Sequence, residues 1–387
     1  MTSALGAGVD TTVSALRALR SGIARKRWET VDLETCIGEV EGLDSFALRA
    51  DLAAFDCRNN RLAQLALEQD GFTHTVRRAI ERFGKGRIAV FLGTSTSGIL
   101  SSEIAYRQRD PVTGALPADH DYQHTHNSYS VADFVRRYFD LHGPAYVVST
   151  ACSSSAKVFG SAQRMIASGL VDAAIVGGVD SLCLTTLYGF NSLQLVSAHP
   201  CKPFDTRRDG ISMGEGAAFA LVEDAAGAVP GDIVMTGIGE SSDAHHMSSP
   251  HPEGLGARIA MQAALRMAGL QAADIDYVNL HGTATPSNDA AEDKGVSTLF
   301  GTNTPCSSTK GHTGHALGAA GGVEAIICAL ALRNDFAPGG VGTQELDPRL
   351  NCRYLLENLD QPMRHALSNS FGFGGSNCSL VLSKVLA

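Results

Sequence analysis

Ala145-Tyr146-Val147-Val148-Ser149-Thr150-Ala151-Cys152-Ser153-Ser154-Ser155 is the stretch on which the fold class turns. Ala145 to Ser149 is an apolar run of strand length that stops at Thr150-Ala151-Cys152, and Ala156 to Gly169 then reads as a helix. A second apolar run, Ala173 to Gly178, follows as another strand. Strand, helix and strand in this order predict an α/β fold whose sheets are covered by helices. The second half repeats the theme: Tyr277 to Leu280 reads as a strand, and Gly318 to Leu332 as an Ala-rich helix after Gly- and His-rich punctuation. Each half also closes alike, with Gly214-Glu215-Gly216 leading into Ala217 to Val222, and Gly374-Gly375-Ser376 leading into Cys378 to Leu382. The expectation is a duplication, residues 1–224 and 225–387, jointed at the small Pro- and Gly-containing segment Asp224 to Asp232.

The bulk composition narrows the function classes. At 387 residues with 44% apolar side chains, the chain can bury a substantial core. Forty-one glycines without a G-X-Y period suggest tight turns and close backbone contacts rather than low complexity. A formal charge of -9 argues against nucleic acid as a partner, because phosphate backbones select basic surfaces. Nine cysteines, odd in number, irregularly spaced and without a CxxC pair, suggest neither a disulfide framework nor a zinc site. A reducing cytosol is the natural setting. Met1 to Asp10 lack the pattern of a signal peptide, and no apolar run is long enough for a membrane span.

Cys152 stands where a buried strand gives way to a helix. The positive end of the helix dipole is expected there to lower a thiol pKa from about 8.5 into the range of roughly 3.5 to 7.5, a nucleophile's setting. The alternative is a small buried hydrophobe. His281, in His281-Gly282-Thr283-Ala284-Thr285-Pro286, follows a strand, and His315, in Lys310-Gly311-His312-Thr313-Gly314-His315, precedes a helix. Imidazoles so placed can project into a cleft and donate to a developing oxyanion. Either alone could be structural; together with Lys310 and the helical Glu324 they suggest an acid/base cluster. The third element is Asn369-Ser370-Phe371-Gly372-Phe373-Gly374-Gly375-Ser376-Asn377, a simple turn or else a loop whose backbone N–H joins that of Cys152 in an oxyanion hole.

Taken together, these stretches resemble the elongating β-ketoacyl-(acyl carrier protein) synthases of fatty acid and polyketide synthesis. The matching motifs begin at Thr150, Asp205, Ser242, His281, Thr309 and Asn369, and the resemblance runs from about Arg87 to the C-terminus. It implies a thiolase-like fold, a five-layered α-β-α-β-α sandwich from two duplicated halves, usually dimeric. It makes Cys152 the acylated nucleophile and His281 with His315 the pair that assists decarboxylation and holds the thioester carbonyl. Lys310 and Glu324 become their supporting ion pair, and Phe373 the gating aromatic whose N–H joins the oxyanion hole. Thr283 and Thr285 bind the phosphopantetheine arm, which an acyl carrier protein delivers. No metal or redox cofactor is implied, and the loop with His245, His246 and His251 falls near a tunnel mouth. The implied partner in the dimer is a second copy or a chain-length-factor-like subunit.

Narrower likenesses and departures accompany this. Asp56-Cys57-Arg58-Asn59-Asn60-Arg61 and Gly178-Val179-Asp180-Ser181-Leu182-Cys183 resemble synthases of bacterial aryl-polyene pigment clusters. Family members open with a short strand before the Thr2-Ser3-Ala4-Leu5-Gly6 region; here it is missing, and the first sheet is expected to lack an edge strand. His312 stands where a small or apolar residue is expected. Lys202, Arg207 and Arg208 are candidates to meet an acidic carrier protein, with an ordinary charged loop as the alternative. Two rival readings remain: a thiolase, which needs a second catalytic cysteine in the C-terminal glycine loop, and a non-catalytic chain-length partner, which lacks the nucleophile.

Overall fold

In the computed structural model, which describes residues 1–386, two six-stranded mixed sheets lie on either side of a pair of buried helices. The first sheet holds β1 (Thr2–Ser3), β2 (Gly6–Ala7), β3 (Ile88–Gly93), β4 (Ala145–Val148), β5 (Ala173–Asp180) and β6 (Gly216–Glu223), in the order β2-β1-β6-β5-β3-β4. The second holds β7 (Ile233–Ser242), β8 (Tyr277–Asn279), β9 (Pro305–Ser307), β10 (Arg353–Tyr354), β11 (His365–Gly372) and β12 (Ser376–Lys384), in the order β10-β9-β8-β11-β12-β7. Pairing repeats between them. β3 runs parallel to β4 and β5, β5 antiparallel to β6, and β6 antiparallel to β1. Likewise β8 runs parallel to β9 and β11, β11 antiparallel to β12, and β12 antiparallel to β7.

Side-chain alternation explains the layering. Along β3, Ile88, Val90 and Leu92 enter one core, while Ala89 and Phe91 enter another on the opposite face. The outer core is closed by α1 (Arg58–Leu67), α2 (Phe72–Phe83) and α3 (Ser130–Tyr138), through Leu62, Leu67, Val76 and Phe134. The inner core is shared: Val158, Phe159 and Ala162 of α4 (Ser154–Ala167) meet Phe91 and Val176 on one side and Ile238, Cys378 and Leu380 on the other. After α5 (Leu184–Ser192) come α6 (Leu255–Ala268) and α7 (Pro286–Phe300), which cover the far face of the second sheet through Met261, Leu265 and Val296. The last long helix, α8 (Ala320–Arg333), lies beside α4. Five layers result, α-β-α-β-α.

The sequence of α8 suits the middle layer. Apart from Glu324 and the terminal Arg333, its residues are small or apolar on every face, as suits a helix packed between two sheets. A Cβ at Gly321 would lie 2.8 Å from both the Cβ and the backbone N of Ala156, so glycine is what allows α8 to approach α4.

One expectation is corrected here. The first sheet does not lack its edge: Thr2–Ser3 pair with Gly216–Ala217 and turn back onto Gly6–Ala7. Met1 and Leu5 pack beside Leu16 and Ile327, which holds the hairpin against the helices around it.

Candidate active site

The nucleophile candidate sits on a strained corner. Between β4 and α4 the chain passes through Ala151 at φ 53°, a left-handed conformation uncommon for a residue with a Cβ. The serines around it hold the corner: Thr150 N–H donates to Ser154 Oγ at 2.9 Å, Ser154 Oγ to the Ala151 carbonyl at 2.5 Å, and Ser153 Oγ to the Thr150 carbonyl at 2.9 Å. Cys152 follows, buried, with its Sγ 3.1 Å from Nε2 of His315. The His281 ring meets the His315 ring edge-on, with centroids 5.4 Å apart.

Each histidine is held from behind. His281 lies two residues past the end of β8; its N–H and that of Gly282 both donate to the Glu292 carboxylate on α7 at 2.7 Å, and Asn369 Nδ2 donates to the same carboxylate at 3.2 Å. Glu292 escaped sequence reading because it lies in the middle of an ordinary helical run; its spacing of ten residues from Gly282 was the only signal. His315 N–H donates to the Ser212 carbonyl at 2.8 Å, tying it to the first half. Lys310, fully buried, donates to Glu324 Oε1 and to the His281 carbonyl, each at 2.5 Å, and its Nζ is 3.3 Å from Nδ1 of His281. An ammonium has only donors, so Nδ1 accepts and the His281 proton resides on Nε2, toward the cleft.

Burial sets the protonation states. It holds both imidazoles well below the usual histidine range, with the Lys310 charge acting in the same direction. The Cys152 thiol is pushed up to about 12 by burial, against the downward pull of Lys310. The expectation of a thiolate favoured by the helix dipole is not met: α4 does begin two residues later, but burial carries the thiol upward. The resting site is a neutral thiol beside neutral imidazoles, with a proton path from sulfur to His315.

The cleft that contains Cys152, His281 and His315 is also lined by Thr283, Thr285 and Phe373. Thr283 and Thr285 share a hydroxyl–hydroxyl bond of 2.9 Å, and Phe373 packs against Phe190 of α5 with ring centroids 5.3 Å apart. Cys152, His281 and His315 present ligand atoms within 4.8 Å of one another, the one such grouping among the described residues. The ammonium of Lys310 beside His281 opposes a metal cation there.

The family description "Beta-ketoacyl synthase, N-terminal domain" matches residues 1–228, and its C-terminal domain matches residues 233–344. The chain belongs to the β-ketoacyl synthase family. Among curated relatives, the 3-oxoacyl-[acyl-carrier-protein] synthase 2 of Rhizobium meliloti is 42% identical over 265 residues, 63% of this chain and 62% of that protein. Its namesake in Staphylococcus aureus is 32% identical over 77% of this chain and 75% of its own length. The matches span 58%, 62% and 63% of the length of three such relatives. Among solved structures, the ketosynthase ApeO from Xenorhabdus doucetiae, in complex with its chain length factor ApeC, matches at a TM-score of 0.90 with 40% identity, covering 99% of this chain and 96% of that one. A β-ketoacyl synthase from Burkholderia phymatum matches at 0.86 with 29% identity, over 99% of this chain and 97% of that one.

Not every candidate residue of this β-ketoacyl synthase family chain reaches the cleft in the role expected of it. Arg208 is corrected: it is buried, donates to Asp347 Oδ2 at 2.7 Å and to the Asp205 carbonyl at 2.8 Å, and lies 3.7 Å from Asp289. It has no face for a carrier. Arg208→Ala is expected to cost about 3 kcal/mol of stability by taking the buried cation from Asp289 and Asp347, although Arg349 still holds Asp347 at 2.7 Å, read as a lower urea midpoint, whereas a surface cation would cost almost nothing. Arg207 remains exposed, bonded to Gln344 at 2.8 Å, and Lys202 is half-buried. His312 is fully buried with both ring nitrogens 2.9 Å from carbonyls, of Arg20 and Gly339, and so serves packing between segments rather than the cleft. His245 and His251 meet edge-to-face, with ring centroids 5.2 Å apart, on a loop whose Met247 carbonyl accepts the Gly374 N–H at 2.7 Å, beside the Phe373 turn. Cys378, the cysteine nearest the glycine loop, is buried in the inner core away from the cleft, so a two-cysteine thiolase arrangement is not formed.

Proposed function

We propose that the chain is a β-ketoacyl-(acyl carrier protein) synthase, an acyltransferase that condenses an acyl thioester with a malonyl thioester in fatty acid or polyketide synthesis. The observation that carries this reading is the 3.1 Å contact between Cys152 Sγ and His315 Nε2, with His281 beside it in the same cleft. His315 accepts the thiol proton as sulfur attacks the incoming thioester, leaving an acyl-Cys152. Malonyl thioester then replaces the departed carrier. As CO2 leaves, the Nε2–H of His281 and the His315 ring face the enolate oxygen, and Lys310 behind them adds positive charge. The enolate carbon attacks the acyl carbonyl, whose oxyanion is held by the backbone N–H groups of Cys152 and Phe373. Thr283 and Thr285 grip the phosphopantetheine arm through the mouth of the cleft. The chemistry is divided between the nucleophile half, residues 1–224, and the histidine half, residues 225–387.

The partners follow from the same reading: an acyl carrier protein, and either a second copy or a chain-length-factor-like subunit. The 40% identity to a ketosynthase solved with its chain length factor supports the latter, as does the likeness at Asp56–Arg61 and Gly178–Cys183, which favours the aryl-polyene branch. A non-catalytic partner role is disfavoured because the sulfur, both imidazoles and the Lys310–Glu324 pair are all assembled. We place the reaction in the cytoplasm; among the described residues no helix is long and apolar enough to cross a membrane. The deciding experiment is intact mass spectrometry after incubation with a panel of acyl carrier thioesters. A mass increase equal to the acyl group is expected, and its absence with every chain length overturns the reading.

Carrier docking is left with Lys202 and Arg207. Arg207→Glu is expected to raise KM for carrier-bound substrate by about tenfold, the scale of one lost charge pair at an interface, while sparing a small soluble thioester. Equal effects on both substrates would remove Arg207 from the docking surface.

A further inference from the structure

The Asp180 carboxylate, at the last residue of β5 and fully buried, joins the two segments that hold the reacting pair. It accepts from Thr94 Oγ1 at 2.6 Å, Ser95 N–H at 2.8 Å, and Thr96 N–H and Oγ1 at 2.9 Å each, all in the loop after β3. Its other oxygen accepts from Gly318 N–H at 2.6 Å, in the turn that leads from His315 into α8. That turn is strained at Leu317, φ 48°, and pressed close: a Cβ at Gly318 would lie 2.7 Å from Ser95 Oγ and 2.8 Å from the carboxylate itself. The loop after β3 reaches the nucleophile's corner as well, since Thr94 N–H donates to the Val148 carbonyl at 3.3 Å and Ser95 Oγ to the Ala151 carbonyl at 3.4 Å. One carboxylate therefore binds the support of Cys152 to the support of His315.

We propose that Asp180 is a positioning residue for the condensation, fixing the turn after His315 against the loop Thr94–Thr96 so that the imidazole stays in contact with the Cys152 sulfur. This rests on the reading of Cys152 as the acyl acceptor. Three main-chain N–H groups from two separate segments point at Asp180, and only an acceptor can satisfy them all without water. Asparagine has the same shape but turns an –NH2 toward some of those donors, so the turn must withdraw. A displacement of about 1 Å at a reacting pair costs roughly 100-fold in rate.

The test compares Asp180→Asn with wild type in three assays: kcat and KM for acylation of Cys152 by a carrier thioester, thermal unfolding, and iodoacetamide alkylation of each cysteine by peptide mass. The expected result is a KM within about twofold, a kcat lower by about 100-fold, and slower alkylation at Cys152, while the half-buried Cys352 and the buried Cys57 and Cys328 label as in wild type. Thr94→Val, which deletes one hydroxyl donor to the same carboxylate, should lower kcat about threefold in the same pattern. Wild-type kcat in Asp180→Asn overturns the proposal. So does a loss of kcat in which all the buried cysteines become reactive, which is general loosening. If Asp180→Asn does not fold, wild-type kcat in Thr94→Val overturns it. Failure of the wild-type protein to acylate would instead sink the functional reading, and the alkylation comparison would still decide whether Asp180 holds the pair.

Discussion

Cys152→Ala is expected to end self-acylation: the acyl mass increment seen on the wild-type chain is absent, and condensation falls by about 10⁴-fold or more, the scale of deleting a covalent nucleophile. The other eight cysteines cannot substitute. Seven are buried and the eighth, Cys352, is half-buried at the edge of the second sheet, outside the cleft. The fold should survive, because the sulfur packs in a cleft wall rather than a core cluster. A second measurement separates the mechanism proposed here from a preformed thiolate. With the thiol pushed up to about 12, the rate of iodoacetamide alkylation at Cys152 should keep rising with pH beyond 9. A plateau below pH 8 would mean a stable thiolate and would remove the need for His315 as proton acceptor. Acylation that persists in Cys152→Ala would assign the nucleophile elsewhere.

The chemical residues were legible because each stands at a junction of regular structure. Cys152, His281 and His315 mark a strand end or the approach to a helix, where side chains escape the sheet and point into one cleft. Strand and helix limits also came out close: the run read as Ala156 to Gly169 is Ser154–Ala167, and Ala173 to Gly178 extends only to Asp180. The duplication was harder to align. The sequence reading pairs Tyr277 to Leu280 with Ala145 to Ser149, but the strand that occupies the place of β4 in the second sheet is Pro305–Ser307, three residues of Pro, Cys and Ser without apolar alternation. Its strand character comes from neighbours on both sides, which local pattern cannot reveal.

What stayed hidden was buried polarity. Arg208 reads as a surface cation, and its true partners, Asp289 and Asp347, lie 81 and 139 residues away (289 − 208 and 347 − 208). Arg58, Asn59 and Asn60 open α1 in an equally polar run, yet all three are buried, Arg58 because the Glu215 carboxylate receives it at 2.6 and 2.9 Å. Glu292 and Asp180 hold the site from behind through main-chain N–H groups, which carry no sequence signature. The same blindness produced the wrong sign for the Cys152 thiol: the helix that would lower its pKa is visible in the sequence, while the burial that raises it is a property of the assembled halves.

Lys310→Met should be the most damaging change outside the nucleophile, and its cost should depend on pH. The substitution keeps the stem and removes the ammonium, leaving Glu324 buried without its cation; breaking such a pair costs about 3–5 kcal/mol. Burial raises the Glu324 carboxyl to about 7 even with Lys310 attached, and the lysine is what pulls it down. Without it the carboxyl rises further. A carboxyl whose folded pKa lies above its unfolded value keeps its full contribution below the unfolded pKa, near 4.5, and loses it as pH climbs through the folded one. Wild type stops losing stability on this account near pH 7, where Glu324 ionises against Lys310; the variant goes on losing. Urea midpoints for the two proteins should therefore lie closest at pH 5 and diverge above pH 7. Catalysis should change on the acid side as well. Lys310 helps hold His281 and His315 well below the usual histidine range, so its removal raises both and moves the acid limb of the acylation profile to higher pH. A constant stability gap from pH 5 to 8, with an unmoved acid limb, would mean that Lys310 acts only as packing.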